Sequence, residues 1–418
     1  MTERNWAGNH TYRAPEIGHP ASMQELQELV AGADHVRALG SRHSFNDIAD
    51  TGGTLAVLDR LDEGIRVDAL NMTVTVSAGM RYGALAAELN RHGFALHNLA
   101  SLPHISVAGA VATATHGSGD ANGNLATAVA GLEMVTADGS VFSARRGDPY
   151  FEGMVVGLGA LGIVTRLTLD IEPTFLVSQR VYEGLDWDQV LENFDEVTTS
   201  AYSVSLFTDW SGTTVQQAWL KSRAGDQRPG GRSSGFFGAG PAAEARHPLP
   251  GVSGSNCTHQ LGVPGPWSDR LAHFRMEFTP SKGDELQSEY LIPREHATDA
   301  LRTMRKLSDM VAPLLLIGEI RTVAADQLWL SPNYGRDGIG LHFTWRPDQP
   351  AVHAVLPLLE AELAPFAARP HWGKLFDARA AAIGPMYPRF GDFIALAEGL
   401  DPTGKFRNSF LERTVFGN

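Results

Sequence analysis

Hydrophobic and polar positions follow two different periods in the first third of the chain. SMQELQELVAGA (22–33) spaces its apolar residues three and four apart, and Ser22 and Glu25 have capping-box spacing, which predicts a helix. HVRALG (35–40) predicts a short buried strand that runs into a loop. GIRVDALNMTVTVSAG (64–79) alternates with period two on both sides of a turn and predicts a hairpin. YGALAAELNRHG (82–93) predicts an amphipathic helix that ends at Gly93.

Two stretches of small and polar residues interrupt these elements. In GSRHSFN (40–46), His43 is either a surface histidine or a histidine held against a bound cofactor. ASLPHISVAGAVATATHGSG (100–119) contains little besides small residues, hydroxyls and two histidines, His104 and His116. Because small residues let a ligand approach backbone N–H groups, this segment favours ligand contact over a small-residue packing helix.

GLGALG (157–162) matches the dinucleotide fingerprint G-x-G-x-x-G but stands in the wrong context. The fingerprint requires a strand before it and a helix after it. Here DPYFEGMVVG (148–157) predicts a helix with Pro149 in its first turn, and IVTRLTLDIEP (163–173) predicts a strand. The sequence therefore argues against a nicotinamide-binding Rossmann site.

After Pro173 the pattern changes to strand-like runs with two helical stretches among them. The helical stretches are REHATDALRTMRKLSDMV (294–311) and VHAVLPLLEAELAPF (352–366). The strand-like runs are AYSVSLFTDW (201–210), TVQQAWLKS (214–222), LAHFRMEFTP (271–280), LQSEYLIP (286–293), LIGEIRTVA (316–324) and GLHFTWRP (340–347). These runs predict a second α+β unit built on an antiparallel sheet, with a mobile Gly/Pro/Ser-rich loop at 225–241.

Two of these strands carry polar residues in an alternating arrangement. Glu319 and Arg321 in GEIRT are two apart, as are His342 and Thr344 in HFTW, so each pair lies on one face of its strand. The ordinary interpretation is a solvated sheet face with a surface ion pair. The alternative is a surface that brings together a carboxylate, a guanidinium, an imidazole and a hydroxyl. HWGK (371–374) adds a cation, Lys374.

Composition and charge narrow the classes of function. A chain of 418 residues predicts two domains. Its 34 basic and 47 acidic residues give a net charge of −13, which argues against binding to nucleic acid or to an anionic membrane surface. The single cysteine, Cys257, leaves no pair for an internal disulfide, and we expect a cytoplasmic monomer without a membrane helix. The fifteen histidines lack metal-ligand spacing, so no metal site is expected.

Six stretches, in order, resemble FAD-dependent oxidases of the vanillyl-alcohol-oxidase superfamily. They are GSRHSFN, ASLPHISVAGAVATATHGSG, GEIRT, HFTW, HWGK and DPTGKFRNSF (401–410). The first stretch and THGSG are typical of the superfamily, whereas GEIRT, HFTW and HWGK together resemble its alditol oxidases, relatives of the sugar-lactone oxidases. The resemblance implies an α+β fold with a PCMH-type FAD-binding domain (1–175) and a substrate-binding cap domain with an antiparallel sheet and flanking helices (176–378). Residues 379–418 would then return to the FAD-binding domain.

The resemblance also implies a covalently bound FAD. His43 would be the anchor, with its imidazole bonded to a methyl group of the flavin ring, and Arg42 stands where relatives often have glycine. The other cofactor-binding residues that the resemblance implies are Gly40, Ser41, Arg42, Ser44, Asn46, Ala100, Ser101, Ser106, Gly109, Thr113, Thr115, His116, Gly117, Ser118, Val164, Lys374 and Asn408.

For the substrate, the resemblance implies a polyol such as xylitol or sorbitol. The implied substrate-binding residues are Ser101, Glu319, Arg321, His342, Thr344 and Lys374. Among these, His342 would take the proton of the terminal hydroxyl as general base, and Arg321 would stabilise the developing alkoxide. Lys374 would stabilise negative charge on the reduced flavin and during its reaction with oxygen. The products would be an aldose and hydrogen peroxide.

Three other functions remain open from the sequence. Within the superfamily, the chain is alternatively an aldonolactone oxidase, or a dehydrogenase that passes electrons to a carrier. Ala100 lies where relatives control the access of oxygen, but one alanine does not decide between an oxidase and a dehydrogenase. From another class, the chain is a noncatalytic sugar-binding protein, which the absence of bound flavin would favour.

Overall fold

The computed structural model describes residues 3–61, 64–226, 235–278 and 284–417. Residues 227–234 of the predicted loop at 225–241 therefore lie outside the described residues. Among the described residues, no helix is long and apolar enough to cross a membrane.

The first region of the molecule contains a parallel and an antiparallel sheet. Its strands are β1 (Glu16–Gly18), β2 (Val36–Ala38), β3 (Thr54–Ala56), β4 (Ile65–Asp68), β5 (Thr73–Ser77), β6 (Phe94–Ala95), β7 (Val129–Val135), β8 (Val141–Arg145), β9 (Ile163–Asp170) and β10 (Glu172–Pro173). Its helices are α1 (Met23–Gly32), α2 (Tyr82–Arg91), α3 (Val107–Ala112) and α4 (Phe151–Val155). The parallel sheet has the order β1-β3-β2, and the antiparallel sheet has the order β4-β5-β9-β7-β8. A short antiparallel pair joins β6 to β10.

The elements predicted for this region are confirmed. The hydroxyl of Ser22 accepts the N–H of Glu25 at 3.2 Å, and the carboxylate of Glu25 accepts the N–H of Ala21 at 2.8 Å, so both side chains cap α1. The predicted hairpin is the β4–β5 pair. Helix α2 is followed by Gly93, whose φ of 82° is the left-handed conformation that glycine adopts most readily.

The rejected fingerprint GLGALG lies between helix α4 and strand β9, the reverse of the Rossmann order. The argument against a Rossmann site is therefore confirmed. One detail was wrong, because Pro149 precedes α4 instead of lying in its first turn. The left-handed residue Tyr150 (φ 65°) stands between them and delays the start of the helix to Phe151.

In the described residues after Pro173, nine strands form one sheet, and all of its paired strands are antiparallel. Its strands are β11 (Leu176–Asp186), β12 (Ser203–Thr208), β13 (Thr214–Arg223), β14 (Gly240–Pro241), β15 (Gly265–Pro266), β16 (Leu286–Pro293), β17 (Leu315–Val323), β18 (Gly338–Trp345) and β19 (Arg369–Pro370). The order is β14-β11-β13-β12-β17-β18-β16-β19, with β15 paired to β11. The helices of this part are α5 (Trp187–Glu192), α6 (Phe194–Thr199), α7 (Ala297–Lys306), α8 (Ser308–Val311) and α9 (Gln349–Leu363). This is the antiparallel sheet that the strand-like runs predicted.

One predicted strand, LAHFRMEFTP, is wrong over the residues that the structure describes. Residues 271–278 form no strand and make a single isolated bridge, between Phe274 and Cys257. The reason is a competing partner, because the N–H groups of His273 and Phe274 both donate to the carbonyl of Ser101, at 3.1 and 3.2 Å. These N–H groups are thereby bonded to the first region instead of to a neighbouring strand of the sheet.

The end of the chain packs against the first region. It carries helices α10 (Ala380–Ile383), α11 (Phe390–Leu400) and α12 (Ser409–Leu411), followed by a π-helical turn (Glu412–Phe416). The N–H of Val36 in β2 donates to the carbonyl of Lys405 at 3.0 Å. The limits of the three predicted segments, 1–175, 176–378 and 379–418, stay predictions. Every described strand of the large sheet lies between Leu176 and Pro370.

Candidate active site

One continuous cavity runs between the first region and the large sheet. Its walls come from the loop 40–45, the small-residue segment 100–116, the turn 157–164 and the polar faces of β16, β17 and β18. The predicted residues that line it are Gly40, Ser41, Arg42, His43, Ser44, Ala100, Ser101, Ser106, Gly109, Thr113, Thr115, His116, Val164, Glu319, Arg321, His342, Thr344 and Lys374. The structure therefore brings together residues that are up to about 330 positions apart in the chain.

Four predicted cofactor residues lie outside the lining of this cavity and bind other parts of the protein. The amide of Asn46 donates to the carbonyls of Trp372 and Lys374, at 2.9 and 2.7 Å, and so fixes the loop that carries Lys374. A Cβ at Gly117 would meet the carbonyl of Leu99 at 2.4 Å. The hydroxyl of Ser118 donates to the carbonyl of Val204.

Asn408 is the fourth of these residues. Its amide donates to the carbonyls of Asp47, Ile48 and Asp50 at 2.8–3.2 Å, and its side-chain oxygen accepts the N–H of Leu411 at the start of α12. It therefore joins the end of the chain to the stretch that follows GSRHSFN. Asn408 supports the wall of the cavity without lining it.

The loop GSRHSFN has the geometry of an anion-binding site. Arg42 has a φ of 63°, a left-handed conformation that glycine adopts without strain. Among the described residues, the backbone N–H groups of Arg42, His43 and Ser44 donate to no protein acceptor. Successive unpaired amides beside a left-handed residue form a concave nest for an anion such as a phosphate.

His43 lies in this loop as a neutral imidazole. Burial lowers its pKa to about 4, so the ring is uncharged near neutral pH. Its Nδ1 lies 2.8 Å from the carbonyl of Ser41, an acceptor, so Nδ1 carries the proton and the other ring nitrogen keeps its lone pair. The ring stacks on Trp6 at a centroid distance of 5.3 Å and an angle of 20°. The loop therefore presents a held, unprotonated nitrogen.

The glycine-rich turn GLGALG also lines the cavity, although it is no Rossmann motif. The buried guanidinium of Arg37 holds this turn by donating to the carbonyls of Leu158 and Gly159, at 2.8 and 2.7 Å. The same guanidinium donates to the carbonyl of Phe406 at 2.9 Å. The high glycine content of the turn indicates that a ligand can approach its backbone closely. Because the order of elements argued against a Rossmann site, the turn was not predicted to line a ligand cavity.

This half of the cavity fits an FAD molecule. The unpaired amides of the loop suit a pyrophosphate, and the small residues of 105–115 and the turn 157–162 leave room for a large planar ligand. Gly40 shows how close the walls are, because a Cβ there would meet the hydroxyl oxygen of Ser106 at 2.5 Å. Covalent attachment needs a nucleophile beside the ring, and neutral His43 offers one.

The opposite half of the cavity is lined by charged side chains on strands. Glu319 on β17 pairs with His342 on β18, and Arg321 follows two positions after Glu319 on the same face. Their neighbours Ile320 and Phe343 belong to the apolar core on the other side of the sheet. The predicted division of the two strands into a polar and an apolar face is thus present.

Glu289 on β16 lies at the centre of these charges and was missed by the sequence analysis. Its carboxylate accepts from Arg321 at 2.6 Å and from Lys374 at 2.5 Å, and lies 3.3 Å from His116. Burial alone would raise the pKa of Glu289, but Arg321 and Lys374 outweigh burial and hold it well below its usual range. The available signal was a carboxylate inside the otherwise apolar run SEYLIP, at the position that pairs with His342.

The imidazole of His342 is neutral and has a defined tautomer. Burial lowers its pKa to about 4, and the Lys374 charge acts in the same direction. The Lys374 ammonium donates to Nδ1 at 2.7 Å, so the proton of the ring lies on Nε2, which donates to the Thr344 hydroxyl at 3.1 Å. His342 therefore holds a lone pair on Nδ1 at neutral pH, as a general base requires.

Arg321 connects the two halves of the cavity. One amine of its guanidinium lies 3.5 Å from the hydroxyl of Ser101 and 3.4 Å from the carbonyl of His116. Burial lowers the pKa of Arg321, but Glu289 and Glu319 outweigh burial and raise it, so the cation is permanent. Three further cavity residues were missed: His273 and Gln287 lie in runs that predict strands, and His371 lies in HWGK, of which only Lys374 was singled out.

This half of the cavity is equipped to bind and deprotonate an alcohol. A neutral imidazole, a fixed guanidinium and two ionised carboxylates lie within a few ångströms of one another and face the small-residue wall. Several fixed donors and acceptors are what a substrate with several hydroxyl groups requires. Within the described part of the chain, no three His, Cys, Asp or Glu side chains are placed to hold a metal ion.

Two family models match the chain. Residues 17–145 match an FAD binding domain, and residues 279–414 match D-arabinono-1,4-lactone oxidase. An alditol oxidase from a Streptomyces species is 51% identical to this chain over 416 residues, which cover 99% of each protein. An L-gulono-1,4-lactone dehydrogenase of Mycobacterium tuberculosis is 30% identical over 98% of each protein.

Solved structures give the same architecture. The crystal structure of cholesterol oxidase from B. sterolicum superposes with a TM-score of 0.77 and covers 99% of this chain and 96% of its own. At 15% sequence identity this likeness concerns the fold alone. Together with the matched FAD binding domain, it confirms the predicted two-domain α+β fold.

Proposed function

The chain belongs to the family of FAD-dependent alditol and aldonolactone oxidases, and we propose that it oxidises the terminal hydroxyl of an alditol to the aldose. Xylitol and sorbitol represent the substrate class, and oxygen is reduced to hydrogen peroxide. The observation that carries this proposal is the neutral imidazole of His342 beside the guanidinium of Arg321, facing the cofactor half of the same cavity.

The loop 40–45 and the segment 100–116 would hold FAD, which would supply the acceptor for the hydride of the alcohol carbon and the transfer of electrons to oxygen. Arg321 and His342 bind the terminal hydroxyl between them. The hydroxyl reaches the lone pair of His342 by displacing the Lys374 ammonium, which keeps its bond to Glu289 at 2.5 Å. His342 then takes the hydroxyl proton, and the permanent charge of Arg321 stabilises the alkoxide that develops.

The remaining polar side chains select the substrate. Glu319 and Thr344 stand on the same face as His342 and bind the hydroxyls next to the reacting one. Ser101 binds from the opposite wall, where its hydroxyl lies 3.5 Å from Arg321. A simple alcohol leaves these buried groups unpaired, and the cost of unpaired polar groups disfavours it.

His43 is proposed as the covalent anchor of FAD. Its support is the held, neutral ring with one unprotonated nitrogen in a loop whose free amides suit a pyrophosphate. Denaturing the holoenzyme in acid and separating protein from small molecules tests this point. Yellow colour should stay with the wild-type chain and leave the His43→Ala chain, whereas His104→Ala should retain it.

The substrate assignment is tested by mixing the purified protein, without oxygen, with xylitol, with sorbitol and with a sugar lactone. Bleaching of the flavin by the polyols, followed by rapid recovery in air, is the expected result. Bleaching by the lactone alone would assign the chain to its lactone-oxidising relatives. Bleaching by polyols with very slow recovery in air would indicate a dehydrogenase. A protein isolated without flavin colour would overturn the assignment altogether.

A further inference from the structure

A fully buried lysine lies behind the substrate half of the cavity, outside its lining. Lys221 on β13 is 1% exposed, and its ammonium donates to the carbonyls of Leu271 and Ala272 and, at 3.0 Å, to Nδ1 of His273. All three donors of the ammonium are therefore used. Burying a charged group is costly, and burial lowers the pKa of Lys221 to about 7, so a role in the fold or the site is needed to explain its presence.

The contacts of His273 with Lys221 and Glu319 define its tautomer. Because the ionised carboxylate of Glu319 can only accept, the ring proton must lie on Nε2, and Nδ1 accepts from the Lys221 side chain. Burial lowers the pKa of His273 to about 4, so the ring carries this one proton only. Nε2 lies 2.8 Å from Oε1 of Glu319 and donates its proton to that oxygen.

The contact leaves the carboxylate of Glu319 with one engaged and one free oxygen. Oε1 accepts from His273 and lies 3.7 Å from Nε of Arg321. No hydrogen bond to Oε2 occurs within residues 3–61, 64–226, 235–278 and 284–417. Burial would raise the pKa of Glu319, but Arg321 and His273 outweigh burial and keep it well below its usual range. Glu319 is thus an ionised acceptor whose rotation is restricted.

Both members of the pair lie in the part of the chain that separates the two matched family models, 17–145 and 279–414. His273 lies on the irregular segment 271–278, which the carbonyl of Ser101 holds against the first region. Lys221 reaches this segment from the sheet. The pair therefore connects the sheet, the segment and Ser101, three contributors to the same cavity.

We propose that Lys221 and His273 are positioning residues that hold Glu319 with its free oxygen turned to a substrate hydroxyl beside the reacting one. The proposal rests on polyol oxidation as the function of the site. The proposed hydrogen bonds run in one direction. The Lys221 ammonium donates to His273 Nδ1, His273 Nε2–H donates to Glu319 Oε1, and a substrate hydroxyl donates to Glu319 Oε2. Loss of either positioning residue weakens recognition of a polyhydroxylated substrate more than it weakens the chemical step.

The first test is steady-state kinetics of the flavin-loaded variants with xylitol or sorbitol. Lys221→Met and His273→Leu should each raise KM by about tenfold or more, the effect of losing a hydrogen bond to a charged group, while kcat changes by less than about threefold. His273→Gln should recover most of the affinity, because its amide can donate to Glu319 in place of Nε2–H. The exposed Lys306→Met serves as the matched control and should leave both parameters unchanged.

A double-mutant cycle separates positioning from general damage to the fold. In a Glu319→Gln background, Lys221→Met should change KM by less than about twofold, because the carboxylate that it positions is gone. An equally large effect with and without the carboxylate overturns the proposal, and so does an unchanged KM in both single variants.

A readout independent of activity is the tautomer of His273, measured by nitrogen NMR of the holoenzyme labelled at histidine. We expect a neutral ring protonated on Nε2 in the wild type, and a changed nitrogen shift of Nδ1 in Lys221→Met, where the hydrogen bond to Nδ1 is lost. A ring protonated on Nδ1 in the wild type overturns the proposal. If no alditol reduces the flavin of the wild type, the proposed function fails, and the tautomer measurement still decides whether the donor order exists.

Discussion

The two halves of the cavity recognise their ligands by different means. The cofactor half consists mainly of backbone amides, hydroxyls and small residues, and the imidazole of its loop residue His43 is neutral. The substrate half consists of ionised side chains on strands, with Glu289, Arg321 and Lys374 in direct contact. A large ligand that stays bound is held by many weak contacts with the main chain, whereas a reacting hydroxyl needs a few groups with defined charge.

This difference implies different sensitivities to substitution. In the substrate half, each charged group is buried among others, so the loss of one leaves its partners uncompensated. In the cofactor half, each contact is one of many, so a single substitution should have a smaller effect. Substitutions in each half therefore test this contrast.

The largest effect is expected from His342→Ala. The variant lacks the lone pair that accepts the hydroxyl proton, so the rate of flavin reduction by xylitol should fall by about 10²–10⁴-fold. The measurement is stopped-flow absorbance without oxygen at saturating substrate. The exposed His353→Ala is the control, and a near-normal rate in His342→Ala would remove this residue from the role of base.

Glu289→Gln should produce the largest loss of stability. The substitution leaves the buried charges of Arg321 and Lys374 without their shared carboxylate, and breaking such a buried pair costs about 3–5 kcal/mol in the free energy of unfolding. Denaturant unfolding measures this cost. Glu398→Gln, which removes an exposed partner of Arg407, should change stability by no more than about 1 kcal/mol. Equal effects of the two substitutions would contradict the central place of Glu289.

The pH dependence of flavin reduction should reflect the pKa of about 4 that burial gives His342. Protonation fills the lone pair of the base, so the rate should be level from about pH 8 to about pH 6 and fall as the pH approaches 4. The rate of flavin reduction measured across this range is the readout. A fall centred near the usual histidine pKa of about 6.5 would mean that another group controls the step.

Gly40→Ala should have the smallest effect. The new Cβ would meet the Ser106 hydroxyl oxygen at 2.5 Å and displace the hydrogen bond that this oxygen accepts from the N–H of Ser41. One lost hydrogen bond corresponds to about 0.5–1.5 kcal/mol in the free energy of unfolding. Gly52→Ala is the matched control, because a Cβ there meets no atom within 4 Å. A loss of stability as large as that of Glu289→Gln would contradict the proposed difference between the two halves.

Much of the fold was predictable because local patterns decide it. Helix α1 begins where the capping residues Ser22 and Glu25 stand, and strands β17 and β18 follow from alternation around Glu319 and His342. The predicted strand failed over the described residues 271–278 because the N–H groups of His273 and Phe274 donate to Ser101, some 170 positions away, and no local pattern records that partner.

The sequence by itself determined the local elements, the two faces of the polar strands and the motifs that resemble FAD-dependent oxidases. Only the tertiary structure decided which charges meet. Glu289, Lys221 and His273 each look ordinary in the sequence, and they gain their roles by lying beside Arg321 and Glu319 on neighbouring strands and segments. The physical reason is that electrostatic interactions and burial depend on distance in space, whereas periodicity and capping depend on neighbours along the chain.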